Sequence, residues 1–419
     1  MADELLRVVE FYSGIGGMHF ALKGCRFSGK VIAAMEINTA ANQVYQLNFV
    51  DTKLLQKNIE GLTVKDLDRL SADVFVMSPP CQPFTRVGLQ GASRDPRTRS
   101  FLRILELLPQ LSSSPDYILM ENVKGFETSD TREHFVGTLK ACGYCYQEFL
   151  LSPTQFGIPN SRLRYYLLAK KKPLQFYFST CDVIMESFPH FKARDRCDYQ
   201  CSDCGNDSVT QPEWIANETK AANNGQSSAI ENSVDSTYRD NHSPACLKCL
   251  QARTKRNSDV EGSTNTYEPT HCGTIGDYLE KCKDDNYFEE FLLPEKVLSK
   301  FALLLDIVNL DSERSCCFTK AYGHYAEGTG SVIKMANIDD ADIFSRYRDL
   351  TDDKHKSELL SVLKLRYFTP REVANLHGFP SEFCFSPSVS VKQQYRLLGN
   401  SLNVHVVSEL LNCLFQSPT

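Results

Sequence analysis

Cys81 stands in the run Ser78-Pro79-Pro80-Cys81-Gln82-Pro83-Phe84, with prolines on both sides. Proline fixes one backbone dihedral, so these prolines stiffen a loop that can hold a sulfur in one place. A thiolate that is partly exposed and so held is a nucleophile. A cysteine in a turn is ordinarily an inert packing residue, but this one has company. Glu36, Cys81 and Glu121 each follow a short apolar run, at 31–35, 73–77 and 117–120. Such runs read as parallel strands, and ligands of open α/β sheets bind at the strands' carboxyl ends.

This set suits addition to an electron-poor ring. C5 of cytosine is too weak a nucleophile to take a methyl group from a sulfonium unaided. A thiolate adding to C6 turns the ring into an enamine whose C5 can do so. The charge that develops spreads onto N3 and O2. Glu121, protonated or sharing a proton with N3, suits the acid that meets it and also reads the base edge. Arg162 or Arg164 suits the donor to O2; the plain alternative for Arg164 is a surface position on its strand.

Strands and helices alternate through the first 175 residues, which predicts an α/β fold: a Rossmann-like, mostly parallel sheet with helices on both faces. The first strand, at 7–12, breaks at Ser13-Gly14-Ile15-Gly16-Gly17, and a helical pattern starts at Met18. Glycines there allow a tight turn and close approach of a ligand to helix amides. Glu36 follows 22 residues after Gly14, close to the spacing at which an acid grips ribose hydroxyls. The loop lacks the G-x-G-x-x-G form, which suits an adenosyl ligand without a pyrophosphate. A further strand is expected at 163–169. Between 194 and 270 Asn, Ser, Thr, Asp and Glu dominate and apolar periodicity vanishes, so a disordered insert is expected. Helical spacing returns from Phe288 to Val308, and Asn400-Ser401 precedes an amphipathic helix ending at Phe415.

The 419 residues, 42% hydrophobic and 23% charged, read as globular, and no apolar run reaches the ~18 residues of a membrane helix. Acids in the opening segment oppose a secretory leader, so cytosol or nucleus is the expected location and the 16 cysteines are expected to be thiols. A net charge of −6 argues against a protein that coats nucleic acid broadly. A compact RNA bound through a local basic patch fits better than long duplex DNA.

With these motifs in order, the chain resembles a cytosine-C5 methyltransferase, and within that family the branch acting on cytosine 38 of tRNA-Asp. Phe11-Tyr-Ser-Gly-Ile-Gly-Gly17 resembles the first motif and Glu36 the acidic second. Pro79-Pro80-Cys81-Gln82 is similar to the catalytic motif, Glu121-Asn122-Val123 to the acid motif, and Arg162-Leu-Arg164 to the arginine motif. Leu398-Gly399-Asn400-Ser401-Leu402-Asn403 is similar to the last. The resemblance implies catalysis by Cys81, Glu121, Arg162 and Arg164 with S-adenosylmethionine as cofactor. It implies that Phe11, Ser13, Gly14, Ile15, Gly16, Gly17, Glu36, Ile37, Asn58, Ile59, Ser78, Pro80, Asn400 and Ser401 bind that cofactor. Cys317-Phe318-Thr319-Lys320-Ala-Tyr322-Gly323 resembles the signature of the tRNA branch. Gln82, Thr85, Arg86, Arg97, Phe318, Thr319, Lys320 and Tyr322 are the implied substrate contacts. A sheet with one reversed edge strand is implied, residues 1–180 and 366–419 forming the catalytic domain and 181–365 a target-recognition domain. The implied partner is tRNA, with DNA a weaker alternative, and a monomer is expected.

Two C-x2-C pairs, Cys201/Cys204 and Cys246/Cys249, have the ligand count of a zinc site. The polar sequence between them favours unpaired surface thiols, so no metal is expected. Cys142 and Cys145 read as packing residues between a helix and a strand, and Cys316 and Cys317 as structural or substrate-adjacent. Arg86, Arg94, Arg97 and Arg99 are candidates for phosphates, while Arg103 reads as a solvated helix face. Lys320, Arg366, Arg371, Lys392 and Arg396 are candidates for an RNA-facing rim.

Overall fold

The computed structural model describes residues 5–80, 95, 98–189, 272–281, 283 and 285–418. Cys81, Gln82, Thr85, Arg86, Arg94 and Arg97, the polar stretch 194–270 and its cysteine pairs lie outside the described residues.

From the N-terminus the elements are β1 (Leu6–Phe11), α1 (Gly17–Gly24), β2 (Gly29–Met35), α2 (Thr39–Asn48), β3 (Leu54–Leu55), α3 (Val64–Asp68) and β4 (Val74–Met77). They continue with α4 (Arg99–Leu107), β5 (Tyr117–Val123), α5 (Asp130–Ala141), β6 (Tyr144–Leu151) and β7 (Arg164–Lys171). Seven strands form one sheet in the order β3-β2-β1-β4-β5-β7-β6. Strands β1 to β5 are parallel, and β7 runs antiparallel to both its neighbours, β5 and β6. The reversed strand is therefore the penultimate one and not the edge strand. β6, which starts within the Cys142–Cys145 stretch, lies outside it and points the same way as β5.

Strands buried on both faces read as continuous apolar runs, and β4 shows why. Val74 and Val76 enter one core, while Phe75 and Met77 enter the other. The first core includes α1, α2 and the C-terminal helix; the second includes α3, α4 and α5.

After residue 272 come α6 (Asp285–Glu289), α7 (Glu295–Phe301), β8 (Ile307–Val308), β9 (Val332–Lys334), α8 (Ala341–Asp349), α9 (Asp353–Ser361) and β10 (Leu365–Tyr367). The strands β10-β9-β8 make a small second sheet with its own core. The helical spacing from Phe288 to Val308 does not give one helix. The first segment stops at Glu289, and Pro294, extended at φ −60°, stands at the N-cap of α7.

The chain closes with α10 (Pro370–Leu376), α11 (Val391–Gly399) and α12 (Val404–Phe415). The expected amphipathic end is instead buried on almost every face of α12, with only His405 and Glu409 reaching solvent. It packs on α1, beneath the first sheet.

Candidate active site

Register brings the predicted residues together. Phe11 pairs with Met35 and with Met77, and Met77 with Met120. The residues that follow these four, Tyr12, Glu36, Ser78 and Glu121, therefore emerge at one sheet edge. β1 has β2 on one side and β4 on the other, so the strand order reverses there, where a crevice opens. The crevice is a cavity of about 450 Å³.

One half of it is built from backbone. Gly14 and Gly16 have φ of 52° and 87°, and a Cβ on Gly16 would fall 2.3 Å from the Phe49 ring. Tyr12 shares the left-handed conformation, at φ 56°. The turn aims the Gly14 amide at Glu36 Oε2 (3.0 Å), while Ile37 and Asn38 donate to Oε1 at 2.8 Å each. Three amides thus fix the Glu36 carboxylate and leave it acceptor capacity toward the cavity. Ser13 Oγ is buried, Ser13 lines the cavity, and Oγ has no partner among the described residues. A polyhydroxylated, zwitterionic ligand would satisfy both groups, so the residues fit S-adenosylmethionine.

Of the expected cofactor residues, Ser13, Gly14, Ile15, Gly17, Glu36, Ile37, Asn58, Ile59, Ser78, Pro80, Asn400 and Ser401 line the cavity. Phe11 does not: it is fully buried below the edge, its ring 5.1 Å from Phe75. Gly16 does not either, because its place in the turn faces Phe49. Tyr12, Met18, Met35, Lys57 and Ser100 also line the cavity and were missed. Tyr12 donates to Ser100 Oγ at 3.0 Å, tying the glycine turn to α4. Spacing carries no signal for that bond.

At the other half, Asn122 Nδ2 donates to the carbonyl of Pro79 at 3.4 Å, joining β5 to the loop that leads to Cys81. Glu121 is buried, with Arg164 Nε 3.5 Å from its Oε1. Burial raises its pKa above the ordinary carboxylate value, while Arg164 and Arg162 pull it back.

The two arginines differ in what they touch. Arg162 donates to the carbonyls of Phe318 (3.1 Å), Gly399 (3.3 Å) and Ser401 and to Cys317 Sγ (3.4 Å). It braces the last motif onto β7. Arg164 faces Glu121 and reaches Cys317 Sγ at 3.7 Å. Burial opposes ionisation of Cys317, but Arg162 and Arg164 outweigh it, and its pKa lies below the usual thiol value.

Several expected substrate contacts are placed elsewhere. Phe318 and Tyr322 are buried edge-to-face, ring centroids 4.9 Å apart, and the Tyr322 hydroxyl donates to Ser331 O. Their rings hold the small sheet to the first core and have no free face for RNA. Arg366 is fully buried in an ion pair with Glu372, at 2.7 and 2.9 Å, and Arg371 is spent on the carbonyls of Phe379 and Phe383. Neither belongs to a rim. Arg103 is not a free helix face, since it donates twice to Leu62 O. Thr319 is half-buried, and Lys320, Lys392 and Arg396 are exposed. Cys142 caps α5 and Cys145 lies on β6. Among the described residues no cluster of His, Cys, Asp and Glu has the makings of a metal site, and no helix is long and apolar enough to cross a membrane.

The model of the C-5 cytosine-specific DNA methylases matches residues 6–416. The chain belongs to that family. The methylase is 48% identical to the Mus musculus tRNA (cytosine(38)-C(5))-methyltransferase, over 98% of its own length and 94% of the relative's. It is 40% identical to a Dictyostelium discoideum protein named DNA (cytosine-5)-methyltransferase, with the same coverage. A crystal structure of a Spodoptera frugiperda DNMT2 mutant superposes with a TM-score of 0.72 at 38% identity, covering 98% of this chain and all of the other. The methyltransferase fold is thus that of the family.

Proposed function

We propose that this methylase transfers a methyl group from S-adenosylmethionine to C5 of cytosine 38 in tRNA-Asp, through a covalent bond between Cys81 and C6. The observation that carries the reading is the meeting of Glu121, Arg164 and the Pro79-Pro80 turn at one edge of the cofactor crevice. Similarity to relatives named for cytosine 38 of tRNA supports the substrate.

When bound, S-adenosylmethionine supplies an electrophilic methyl group. Glu36, Ser13, Asn400 and Ser401, which line the crevice, would hold it there. The target cytosine leaves its stack to enter, which costs less in a loop than in a duplex. The Cys81 thiolate adds to C6. Glu121, whose pKa burial raises, gives a proton to N3, and Arg164 meets the charge at O2. With the cofactor bound, C5 would take the methyl group as the methyl–sulfur bond breaks, the demethylated cofactor leaving as a neutral thioether. Loss of the C5 proton to solvent drives the electron pair back and expels the thiolate, and the N3 proton returns to Glu121, which restores the ring. Arg162 holds the last motif against the site.

The test is methyl transfer from labelled cofactor to tRNA-Asp and to duplex DNA, with the modified position mapped. Label at cytosine 38 is expected. Label in DNA alone would assign the other substrate, to which the Dictyostelium relative's name points.

A further inference from the structure

Residues 319–329 form a loop bonded largely to itself. The Thr319 amide donates to Thr329 O (2.9 Å) and the Tyr322 amide to Thr319 O (3.0 Å). The amides of His324 and Tyr325 both donate to Ala321 O, at 3.0 and 3.2 Å, and Thr329 Oγ1 donates to Tyr325 O (2.7 Å). Tyr322 points inward and is buried. The next two rings point outward: Tyr325 is 62% exposed, and the exposed His324 lies 4.6 Å from it, the rings tilted by 60°. No other Phe or Tyr among the described residues exceeds the 37% exposure of Phe301.

The loop sits against the active site. A Cβ on Gly399 would fall 2.1 Å from the Lys320 amide nitrogen, and one on Gly323 would touch the Tyr395 ring. Gly399 lines the cavity with Asn400 and Ser401. The exposed rings thus stand one short turn of chain from the crevice wall, on a backbone that is already ordered. Lys320, Lys392 and Arg396 are exposed on the two segments in contact, so a nucleic-acid backbone has cations there. The loop itself carries the exposed Glu327, which disfavours a phosphate directly over it. A ring face is what the loop offers.

We propose that Tyr325, with His324 beside it, is a stacking platform for an unpaired base next to the cytosine being methylated. The inference rests on RNA as the substrate. Extruding one base strips its neighbours of a stacking partner, and an aromatic face replaces that partner without reading sequence.

The test uses a tRNA-Asp transcript carrying 2-aminopurine beside the target cytosine. Fluorescence and methyl transfer are compared for the unchanged protein, Tyr325→Phe and Tyr325→Ala. Binding to the unchanged protein should quench the fluorescence, as stacking does. Tyr325→Phe should keep that quench and a KM within about twofold, because the face and not the hydroxyl makes the contact. Tyr325→Ala should lose the quench and raise KM for RNA between about 5- and 150-fold, the range for one stacked base, with kcat and cofactor affinity little changed. A Tyr325→Ala variant with normal KM and quench overturns the inference, as does a Tyr325→Phe variant as impaired as Tyr325→Ala. Fluorescence needs no turnover, so stacking without methylation would overturn the proposed reaction alone. An RNA that the unchanged protein neither binds nor methylates overturns both.

Discussion

The Arg162 guanidinium donates to the carbonyl of Gly399, 3.3 Å away in space and 237 residues away along the chain. That contact seats the last motif on the end of β7, and it makes Arg162 a different residue from Arg164. Removing Arg162 takes a charged donor from the carbonyls of Phe318, Gly399 and Ser401, each loss worth ~1–3 kcal/mol where the carbonyl stays unsatisfied. Arg162→Met should therefore lower unfolding free energy by at least ~3 kcal/mol and weaken cofactor binding. Arg164→Met should cost less stability, because Glu121 can take up a proton, yet lower kcat by about a hundredfold. Urea denaturation beside single-turnover rates separates the two; equal stability losses would refute the distinction.

Glu121 should govern the alkaline limb of the rate profile. Burial raises its pKa, so the protonated acid persists above the ordinary carboxylate range and is lost as pH rises through the raised value. Glu121→Gln keeps a donor that cannot transfer its proton. It should lower kcat by ~10²–10⁴-fold and abolish that limb, with cofactor affinity unchanged. A variant with the same limb would assign it to another group.

Cys81 should be trapped by a tRNA whose target base is 5-fluorocytosine. After methyl transfer C5 holds fluorine in place of a proton, elimination cannot follow, and the Cys81–C6 bond persists. A protein–RNA species stable to denaturant is expected with the unchanged protein and absent with Cys81→Ala. Methylation of ordinary tRNA with no such species from the fluorinated one would exclude the covalent route.

Beneath the crevice, Glu10 is fully buried with Tyr45 donating to its Oε2 at 2.9 Å, and burial raises its pKa to about 8. The unfolded chain releases this proton near 4.5, so stability contributed by the protonated form is complete below that pH and falls as pH rises to about 8. Glu10→Gln, nearly the same shape, should flatten that slope. It should raise stability at pH 8 by at least ~1.4 kcal/mol, the equivalent of a tenfold change in proton affinity. Melting temperatures measured from pH 5 to 8 check it; parallel slopes in both proteins would contradict it.

Gly16 cannot carry a side chain. Gly16→Ala would force a Cβ to 2.3 Å from Phe49 at a φ of 87°, where an L-residue already costs ~1–2 kcal/mol. Loss of thermal stability and of cofactor affinity together is expected. Gly61→Ala, with nothing within 4 Å of the new carbon, should be neutral in the same assays.

The residues alone determined where chemistry gathers. Glycine marks a turn, alternating strands and helices dictate a parallel sheet, and a parallel sheet sends Glu36, Ser78 and Glu121 to one edge whatever the packing. The spacing of ordered motifs named the family for the same reason. Local sequence could not decide what lies beside what across hundreds of residues. Phe318 and Tyr322 carry a signature but their rings fill the core, and Arg366 looks like a surface cation yet pairs with buried Glu372. Pattern could not assign β7 an inner position, because antiparallel pairing on both sides is a property of its neighbours β5 and β6. Charge and aromaticity belong to a residue, whereas burial and partnership belong to a place. Only tertiary packing, which sets the cost of leaving each polar group unpaired, distributes one among the other.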